Sequence, residues 1–434
     1  MSKIIEPKVL KGFRDFLPAT EIERKRVIRL LEDNFESYGF VPIDTPALEY
    51  SEVLLGKGSG ETDKQMYRFE DNGKRDVSLR FDLTIPFARF MAKNRKDLYL
   101  PFKRFHISKV WRGENTQRGR YREFTQCDFD IVGTDSPSAD FEILMIMRSS
   151  LRALDVPNCT IHMSHRGIFN RFLNHLGILD QNVEILRTVD KLAKIGRDEV
   201  VRLLTELSDT EKAGKILDFI QKEEGFIPTL EKLEALAGGP AEDTQRLRDI
   251  YAYICELGIE DGFVLNPSIT RGLDYYTGLV YETFLDDLPA IGSVCSGGRY
   301  NNLAELYSKE SLPGVGSSIG LDRLMAGLEE LGQSASKASK TQLIILNMDT
   351  ALIGHYHSLA DSFRKAGYCC EVYHETKKLG PQFKFAEAKS IPLAIICGSN
   401  EKEAGTVNLK DMTKRENFDA LTLEEALAKA GELL

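Results

Sequence analysis

Residues Lys103–Gly133 read KRFHISKVWRGENTQRGRYREFTQCDFDIVG, and two β-patterned runs in this stretch flank a polar loop. In the first run, Phe105–Trp111, the residues Phe105, Ile107 and Trp111 share one face, and the alternation in the second run, Phe124–Val132, is close to strict. Because successive strand side chains point to opposite sides of a sheet, one face of the second run is polar and carries Gln126, Asp128 and Asp130. The other face carries Thr125, Cys127, Phe129 and Ile131. The stretch therefore predicts a β-hairpin with one apolar and one polar face.

The loop of this hairpin is rich in charged residues. It carries Arg112, Arg118, Arg120 and Arg122, together with Glu114 and Glu123. The planar guanidinium group can bind phosphate oxygens at two points, so the hairpin suits an anionic ligand that bears phosphate. A two-stranded ribbon with a solvated, charged loop is the alternative, and composition alone does not decide between them.

The composition of the 434-residue chain narrows the class of protein. Its length predicts two or three domains with ample core, and 42% apolar residues is ordinary for a soluble globular protein. The net charge of −9 excludes a protein that coats nucleic acid nonspecifically. The seven cysteines form no C-x-x-C pair, so we expect reduced thiols, a cytoplasmic location and no resident metal site. We find neither a signal-peptide core nor an apolar run long enough to span a bilayer, so no membrane partner is expected.

The hairpin loop and second strand also resemble a family motif. Arg112-x-Glu114, followed by the segment RGRYREFTQ at Arg118–Gln126, resembles the second signature motif of the class II aminoacyl-tRNA synthetases, in the form typical of the histidyl-tRNA synthetase family. Taken alone, this motif also fits catalytically inactive paralogues of that family. The rest of the chain must therefore discriminate between an enzyme and a binding protein.

The N-terminal region predicts a long helix that leads into a short strand. Thr20 and Glu23 have capping-box spacing, apolar residues then recur at helical spacing, and Gly39 stands where the helix should end. The segment Phe40–Pro46 predicts a strand ended by proline. This helix and strand resemble the first class II motif, which in that family builds the dimer interface, so the resemblance implies a homodimer.

The segment Ser78–Thr84, SLRFDLT, alternates apolar and polar residues and predicts a strand. Its polar positions, Arg80, Asp82 and Thr84, would be costly to bury without a partner or a ligand. An edge strand with one wet face is the alternative. The sequence LRFDLT resembles the segment with which histidyl-tRNA synthetases hold the α-amino group of histidine.

Three glycine-containing segments later in the chain carry further resemblances. RGLDYYTG at Arg271–Gly278 resembles the histidine-specific signature of the family, and Ser296–Asn302 resembles a second such signature, usually GGGRYD, from which Ser296 and Asn301 depart. The glycine-rich segment Gly314–Arg323 precedes and enters a predicted amphipathic helix. Arg323 in that helix resembles the arginine of the third class II motif.

The patterns predict the domain organisation. We expect a catalytic domain at 1–330 that is interrupted by a helical insertion at 164–262, a polar linker at 331–340, and a small α/β domain at 341–434. The last of these resembles the anticodon-binding domain of class II synthetases. The resemblance covers nearly the whole chain and implies an α+β catalytic domain, with an antiparallel sheet flanked by helices, a helical insertion and a C-terminal α/β anticodon-binding domain.

The resemblance implies an activity and roles for individual residues. Histidine would attack the α-phosphate of ATP to give histidyl-adenylate, which is transferred to the 3′ end of histidine tRNA, with Mg²⁺ neutralising part of the phosphate charge. The catalytic residues would be Arg112 and Arg271. The ATP-binding residues would be Arg112, Glu114, Arg120 and Arg323. The histidine-binding residues would be Asp82, Leu83, Thr84, Arg112, Gln126, Asp130, Arg271, Tyr275 and Tyr276.

Two alternatives belong to other functional classes. One is a synthetase-like regulatory subunit that binds histidine to control histidine biosynthesis, and such paralogues generally lack the C-terminal domain and the arginine at the position of Arg271. The other is a synthetase-like domain of an RNA-binding stress sensor, for which no kinase segment is present. A histidine-dependent exchange of pyrophosphate with ATP would discriminate the enzyme from both.

Overall fold

The computed structural model describes residues 4–55, 64–156, 158–270, 275–308, 310–333 and 338–434. The chain divides into two compact units. The larger comprises Met1–Asp15 and Val27–Ser334, and the smaller comprises Phe16–Arg26 and Ala335–Leu434. No helix among the described residues combines the length and the apolar character that crossing a membrane requires.

The larger unit contains two sheets. Their strands are β1 Val41–Pro42, β2 Leu48–Tyr50, β3 Arg68–Glu70, β4 Asp76–Leu79, β5 Phe102–Trp111, β6 Glu123–Val132, β7 Cys159–His165, β8 Phe263–Leu265, β9 Leu279–Leu285, β10 Cys295–Tyr300 and β11 Gly314–Gly320. Eight strands pair in the order β1-β5-β6-β11-β10-β9-β7-β8, and three form a small sheet in the order β2-β4-β3.

The fold class agrees with the prediction, but the large sheet is mixed at its edges. The six central strands are antiparallel, as expected. However, β1 pairs parallel to β5, and β8 pairs parallel to β7. Parallel neighbours need a long crossover connection, and the helices between β7 and β8 provide one.

The helices are α1 Pro18–Ser37, α2 Ser51–Leu55, α3 Thr84–Asn94, α4 Pro137–Ala153, α5 Arg166–His175, α6 Asn182–Val189, α7 Leu192–Ile195, α8 Arg197–Leu207, α9 Thr210–Phe219, α10 Phe226–Leu236, α11 Glu242–Glu256, α12 Leu321–Glu330, α13 Ile353–Lys365, α14 Leu379–Ala388, α15 Ser399–Ala404 and α16 Leu423–Leu433. The predicted first helix is confirmed, but it begins at Pro18, so Thr20 lies inside the helix and the predicted capping box is wrong. Gly39 follows the helix with a φ of +79°. This left-handed conformation is one that glycine adopts without steric cost.

The β5–β6 hairpin has the two faces that its sequence predicts. Phe105 lies directly opposite Phe129 in the ladder, and both rings pack against Phe35 of α1, with ring centroids 5.6 and 4.9 Å away. These side chains are part of one hydrophobic core that continues through α4 and the helices between β7 and β8. The polar face, which carries Gln126, points to the opposite side of the sheet.

The predicted strand at Ser78–Thr84 is wrong in its second half. Strand β4 ends at Leu79, and helix α3 begins at Thr84. The carboxylate of Asp82 accepts a hydrogen bond from the backbone N–H of Ile85 at 3.0 Å. This local bond favours a helix start over a continued strand, and Pro86 is compatible with a first helical turn because that turn leaves N–H groups unpaired.

A buried ion-pair network ties the helices between β7 and β8 to the sheet. The carboxylate of Asp140 in α4 accepts from Arg246 of α11 at 2.6 Å and from Arg299 of β10 at 2.8 Å. Asp140 is fully buried and both arginines are nearly so. Because breaking such a network would leave a buried charge unpaired, it fixes β10 relative to α4 and α11.

The smaller unit is an α/β domain, as predicted. Its sheet has the order β13-β12-β14-β15-β16, with strands β12 Leu343–Ile345, β13 Cys370–Val372, β14 Leu393–Ile396, β15 Thr406–Asp411 and β16 Asn417–Thr422. The sequence predicts helices around 351–366, 380–389 and 422–433, which agree with α13, α14 and α16, and strands at Gln342–Met348, Cys369–Tyr373, Leu393–Gly398 and Thr406–Leu409, which agree with β12 to β15. It does not predict β16 or the short helix α15. Strand β16 is mostly exposed at the sheet edge, so it has little apolar alternation by which to recognise it.

Candidate active site

A cavity of about 300 Å³ lies over the polar face of the hairpin. It is lined by Asp82, Thr84, Arg112, Glu114, Gly119, Arg120, Tyr121, Phe124, Gln126, Tyr275, Tyr276, Tyr281, Glu282, Ser293, Val294, Ser296, Gly297, Ser318, Gly320, Asp322 and Arg323. Nine of the residues predicted for the site are in this list. The helix starts at Thr84 and Leu321 bring α3 and α12 to its rim.

Asp82 is a buried carboxylate at the cavity wall. Its oxygen Oδ2 has no hydrogen-bond partner among the described residues. Burial raises the pKa of Asp82 to about 6, and the Ile85 N–H and the Arg112 guanidinium oppose this shift. A carboxylate in this setting gains most from a cationic ligand, because the ligand would restore the stabilisation that water no longer provides.

Gln126, on the polar face of β6, supplies a second unpaired acceptor to the cavity. Its amide nitrogen donates to the Ser318 hydroxyl at 2.8 Å, which fixes the orientation of the amide group. Its oxygen Oε1 is buried and has no hydrogen-bond partner within the described parts of the chain. Gln126 and Asp82 therefore offer two oriented oxygens to a ligand that donates hydrogen bonds, such as an ammonium group.

The aromatic residues Tyr275 and Tyr276 close the cavity beside these acceptors. Their rings meet edge to face with centroids 5.0 Å apart. Burial raises the pKa of both phenols, so they stay protonated and can donate hydrogen bonds. Arg271, which the resemblance places just before them, lies outside the described residues.

Asp130 lies behind the cavity wall and is not one of its lining residues. Its carboxylate is paired with the fully buried guanidinium of Arg104 at 2.7 Å and accepts from the Tyr300 hydroxyl at 2.5 Å. Burial raises the pKa of Asp130, and the charge of Arg104 opposes the shift. A Cβ atom at Gly316 would lie 1.9 Å from Asp130 Oδ1, so only glycine fits opposite this carboxylate. The role of Asp130 in reading the imidazole stays a prediction.

Two neighbours of these residues complete the buried layer. Leu83 is fully buried and does not line the cavity. Asp128, between Gln126 and Asp130 on the same strand face, is also buried, and burial raises its pKa to about 7 against the opposing charge of Arg104. The layer under the cavity thus holds several carboxylates around one arginine.

The other end of the cavity is formed by three arginines. Arg112 donates to the Phe81 carbonyl at 2.9 Å, and its guanidinium lies 5.0 Å from the centre of the Phe124 ring. Arg120 is 3.5 Å from the carboxylate of Glu114. Arg323 donates to the Ser293 carbonyl at 2.6 Å. Guanidinium groups held in this way keep a fixed orientation, which suits the binding of phosphate oxygens.

Several lining residues were not singled out from the sequence. Phe124 shares the strand face of Gln126, so the alternation that revealed Gln126 also contained a signal for Phe124. Glu282 was not identified from the sequence, and it lies opposite Ser296 in the ladder. Tyr121 and Asp322 stood inside recognised motifs but carried no distinct signal of their own.

The cavity therefore has two chemically different ends. Buried acceptors and phenols at one end suit an ammonium group and a polar ring, whereas arginines at the other end suit a polyphosphate. Glu114 and Glu282 also line the cavity and offer the oxygen ligands that Mg²⁺ prefers. Such a cavity can bring a small amino compound and a nucleotide together for transfer of a phosphorus-bound group.

Comparisons with known proteins agree along the whole chain. The profile described as Histidyl-tRNA synthetase matches residues 12–324, and the profile described as Anticodon binding domain matches residues 341–433. A histidine–tRNA ligase of Treponema denticola is 55% identical over 443 residues, which cover 99% of this chain and 99% of the relative. A histidine–tRNA ligase of Rhodopirellula baltica is 46% identical over 429 residues, which cover 98% of this chain and 97% of the relative. The crystal structure of histidyl-tRNA synthetase from Nostoc sp. PCC 7120 matches with a TM-score of 0.87 and 31% identity, covering 99% of this chain and 100% of that one.

Proposed function

This chain belongs to the histidyl-tRNA synthetase family, and on that premise we propose that its cavity activates histidine with ATP. The activity is that of an ATP-dependent histidine–tRNA ligase. The observation that carries the assignment of the cavity is its lining, which combines buried acceptors without partners with three arginines. This combination matches the two substrates, an amino acid with a cationic amino group and a nucleoside triphosphate.

Histidine would occupy the end with the buried acceptors. The ammonium group would lie between Asp82 and Gln126, whose unpaired oxygens support this placement. Tyr276 would face the imidazole, with Asp130 behind it, and Thr84 and Tyr275 would complete the wall. The carboxylate of histidine would then point toward Arg112, from where it can attack the α-phosphate of ATP.

ATP would occupy the arginine-rich end. Phe124 would lie against the adenine ring, Arg112 would hold the α-phosphate, and Arg323 would hold the γ-phosphate. Glu114 and Arg120 would frame the nucleotide. Because phosphoryl-group chemistry needs positioning and charge neutralisation more than a protein base, fixed arginines supply most of what the reaction requires. Arg271 is assigned to the same role by resemblance alone.

Mg²⁺ would enter with ATP as its counter-ion. Bound Mg²⁺ usually keeps several waters and takes one or two carboxylates plus phosphate oxygens. Glu114 and Glu282 fit that requirement, since both carboxylates line the cavity. When bound, the ion would neutralise charge on the phosphates.

The remaining parts of the chain are assigned to tRNA binding and assembly. We propose a catalytic domain at 1–330 with its insertion at 164–262, a linker at 331–340, and an anticodon-binding domain at 341–434, working in the cytoplasm. The acceptor end of histidine tRNA would reach the cavity, and the anticodon would bind the C-terminal domain. Exposed apolar side chains on β1, β2 and β3 support a homodimer interface, because large exposed apolar residues grouped on edge strands favour association. They are Val41, Leu48, Tyr50 and Phe69.

The purified protein should catalyse the exchange of pyrophosphate into ATP when histidine is added, and with no other standard amino acid. We expect this because activation is reversible and needs only the cavity, ATP, histidine and Mg²⁺. The measurement is incorporation of labelled pyrophosphate into ATP. Histidine binding without exchange would instead favour the regulatory, histidine-binding alternative.

The affinity for histidine should fall as the pH drops below about 6, because Asp82 must be ionised to pair with the ammonium group. We expect an additional loss of about tenfold per pH unit relative to Asp82→Asn, measured by titration calorimetry between roughly pH 5 and 8. The imidazole of histidine titrates in both proteins, so the ratio of affinities isolates Asp82. Parallel pH profiles would remove Asp82 from ammonium binding.

The same pKa shift predicts how protein stability depends on pH. The pKa of Asp82 in the folded state lies above its ordinary value of 3.8. Its contribution to folding stability is therefore fully present below about pH 4 and is lost as the pH rises through about 6. In the absence of histidine, Asp82→Asn should consequently be more stable than the wild type at neutral pH.

A further inference from the structure

The segment before α1 lies against the hairpin loop that forms the arginine-rich end of the cavity. The carbonyl of Gly12 accepts hydrogen bonds from the backbone N–H groups of Arg122 at 2.9 Å and Glu123 at 3.4 Å. A Cβ atom at Gly12 would lie 2.7 Å from Arg122 Cγ and 2.8 Å from Thr116 Cγ2, and the φ of Gly12 is +87°. The positive φ and the side chains packed against this Cα therefore favour glycine at this position.

Arg14 extends from this segment to two residues of the cavity wall. Its guanidinium lies 3.4 Å from the centre of the Tyr121 ring, which is a close cation–π contact. It also forms an ion pair with the carboxylate of Asp322. Both partners line the cavity, whereas Arg14 itself does not.

Asp322 is a buried carboxylate in the first turn of α12. Its oxygen Oδ2 accepts the backbone N–H of Thr125 at 2.7 Å, so it joins α12 to the start of β6. It also immediately precedes Arg323, which we assign to the γ-phosphate. A carboxylate in this position would repel a triphosphate if no cation balanced it.

We propose that Arg14 is a positioning residue for ATP. It balances the charge of Asp322 beside Arg323, and it holds the Tyr121 ring in the wall of the cavity. Its partner Asp322 adjoins Arg323 and its partner Tyr121 adjoins Arg120, so Arg14 would act on the binding of ATP more than on the binding of histidine. This inference rests on the proposed function, because it names a determinant of ATP use in the same cavity.

The test is the Arg14→Gln variant in the full-length protein, with KM for ATP and KM for histidine measured separately in the exchange reaction. We expect KM for ATP to rise about 10- to 100-fold, the size expected for losing a charged hydrogen bond, and KM for histidine to change by less than about threefold. Arg14→Lys should recover part of the loss, because it restores the charge but not the flat stack on Tyr121.

Two further variants separate positioning from folding. Arg89→Gln is the matched control, because Arg89 forms a similarly half-buried pair with Glu49 at 2.6 Å and neither residue lines the cavity. Its KM for ATP should stay within about twofold of the wild type. The double variant Arg14→Gln/Asp322→Asn should bind ATP better than Arg14→Gln alone, because it also removes the negative charge of Asp322.

The outcomes distinguish this inference from the proposed function. An active wild type with an unchanged KM for ATP in Arg14→Gln would overturn the role of Arg14 alone. Equal rises in KM for ATP and histidine, or the same shift in Arg89→Gln, would also overturn it, because they indicate general destabilisation. A wild-type protein that shows no exchange would refute the proposed function. Calorimetric titration of the wild type and Arg14→Gln with ATP would then test Arg14 directly, and the affinity of the variant for ATP should be lower by the same factor.

Discussion

Arg112→Gln is expected to lower the rate of histidine activation by roughly 10²–10³-fold, the cost of losing one preorganised donor to a developing negative charge. Arg112 lines the cavity, and its charge also acts on the carboxylate of Asp82. Its hydrogen bond to the Phe81 carbonyl and its contact with the Phe124 ring fix the guanidinium before any substrate binds. It would therefore face the histidine carboxylate and the α-phosphate at the moment when charge builds up between them. The measurement is kcat for pyrophosphate exchange at saturating ATP and histidine.

Arg118→Gln provides the control for this prediction. Arg118 belongs to the same loop, but its side chain is 59% exposed, pairs with Glu330 at 3.2 Å and does not line the cavity. Exposed pairs of this kind contribute at most about 1 kcal/mol, so exchange should remain near the wild-type rate. If Arg112→Gln were within threefold of the wild type, or no slower than Arg118→Gln, Arg112 would have no part in activation.

The parts of the fold that could be predicted are those determined by local periodicity. The two faces of the β5–β6 hairpin follow from alternation alone, and the structure places Phe129 in the core with Gln126 on the cavity side. The prediction failed after Leu79, where alternation continues through Thr84 but the chain turns into a helix. The hydrogen bond that Asp82 accepts from the Ile85 N–H favours that turn, and hydrophobic periodicity contains no information about it.

At the candidate site, the sequence likewise indicated individual residues but not their contacts with distant parts of the chain. Motifs indicated the lining residues Asp82, Gln126 and Arg323, because each lies in a short recognisable segment. They could not indicate what surrounds these residues. Asp130 receives its hydrogen bond from Tyr300, 170 positions away, and Asp322 is paired with Arg14, 308 positions away. Such contacts depend on how distant strands and segments meet, which residue types and spacing within one segment do not determine.

Asp130→Asn is expected to lower the free energy of unfolding by about 3–5 kcal/mol, because it strands a buried charge. Arg104 is fully buried and forms its ion pair with Asp130 at 2.7 Å, whereas burial raises the pKa of nearby Asp128 and favours its neutral form. The guanidinium also lies 4.1 Å from the centre of the Phe87 ring, so it cannot turn toward water without disturbing the core. The measurement is urea unfolding followed by circular dichroism. Tyr300→Phe is the control, since it removes only one hydroxyl from the same carboxylate and should cost about 1 kcal/mol.

The double variant Arg104→Met/Asp130→Asn separates the two roles that Asp130 can have. Replacing a buried ion pair by groups that carry no charge is often close to neutral, so most of the lost stability should return. If Asp130 also reads the imidazole, the stable double variant should still use histidine poorly. We expect kcat/KM for histidine to fall by the equivalent of about 2–4 kcal/mol of transition-state stabilisation. KM for ATP should be nearly unchanged. A double variant that regains both stability and histidine use would show that the Asp130 carboxylate serves only to balance Arg104, and that the imidazole is recognised by other residues such as Tyr276.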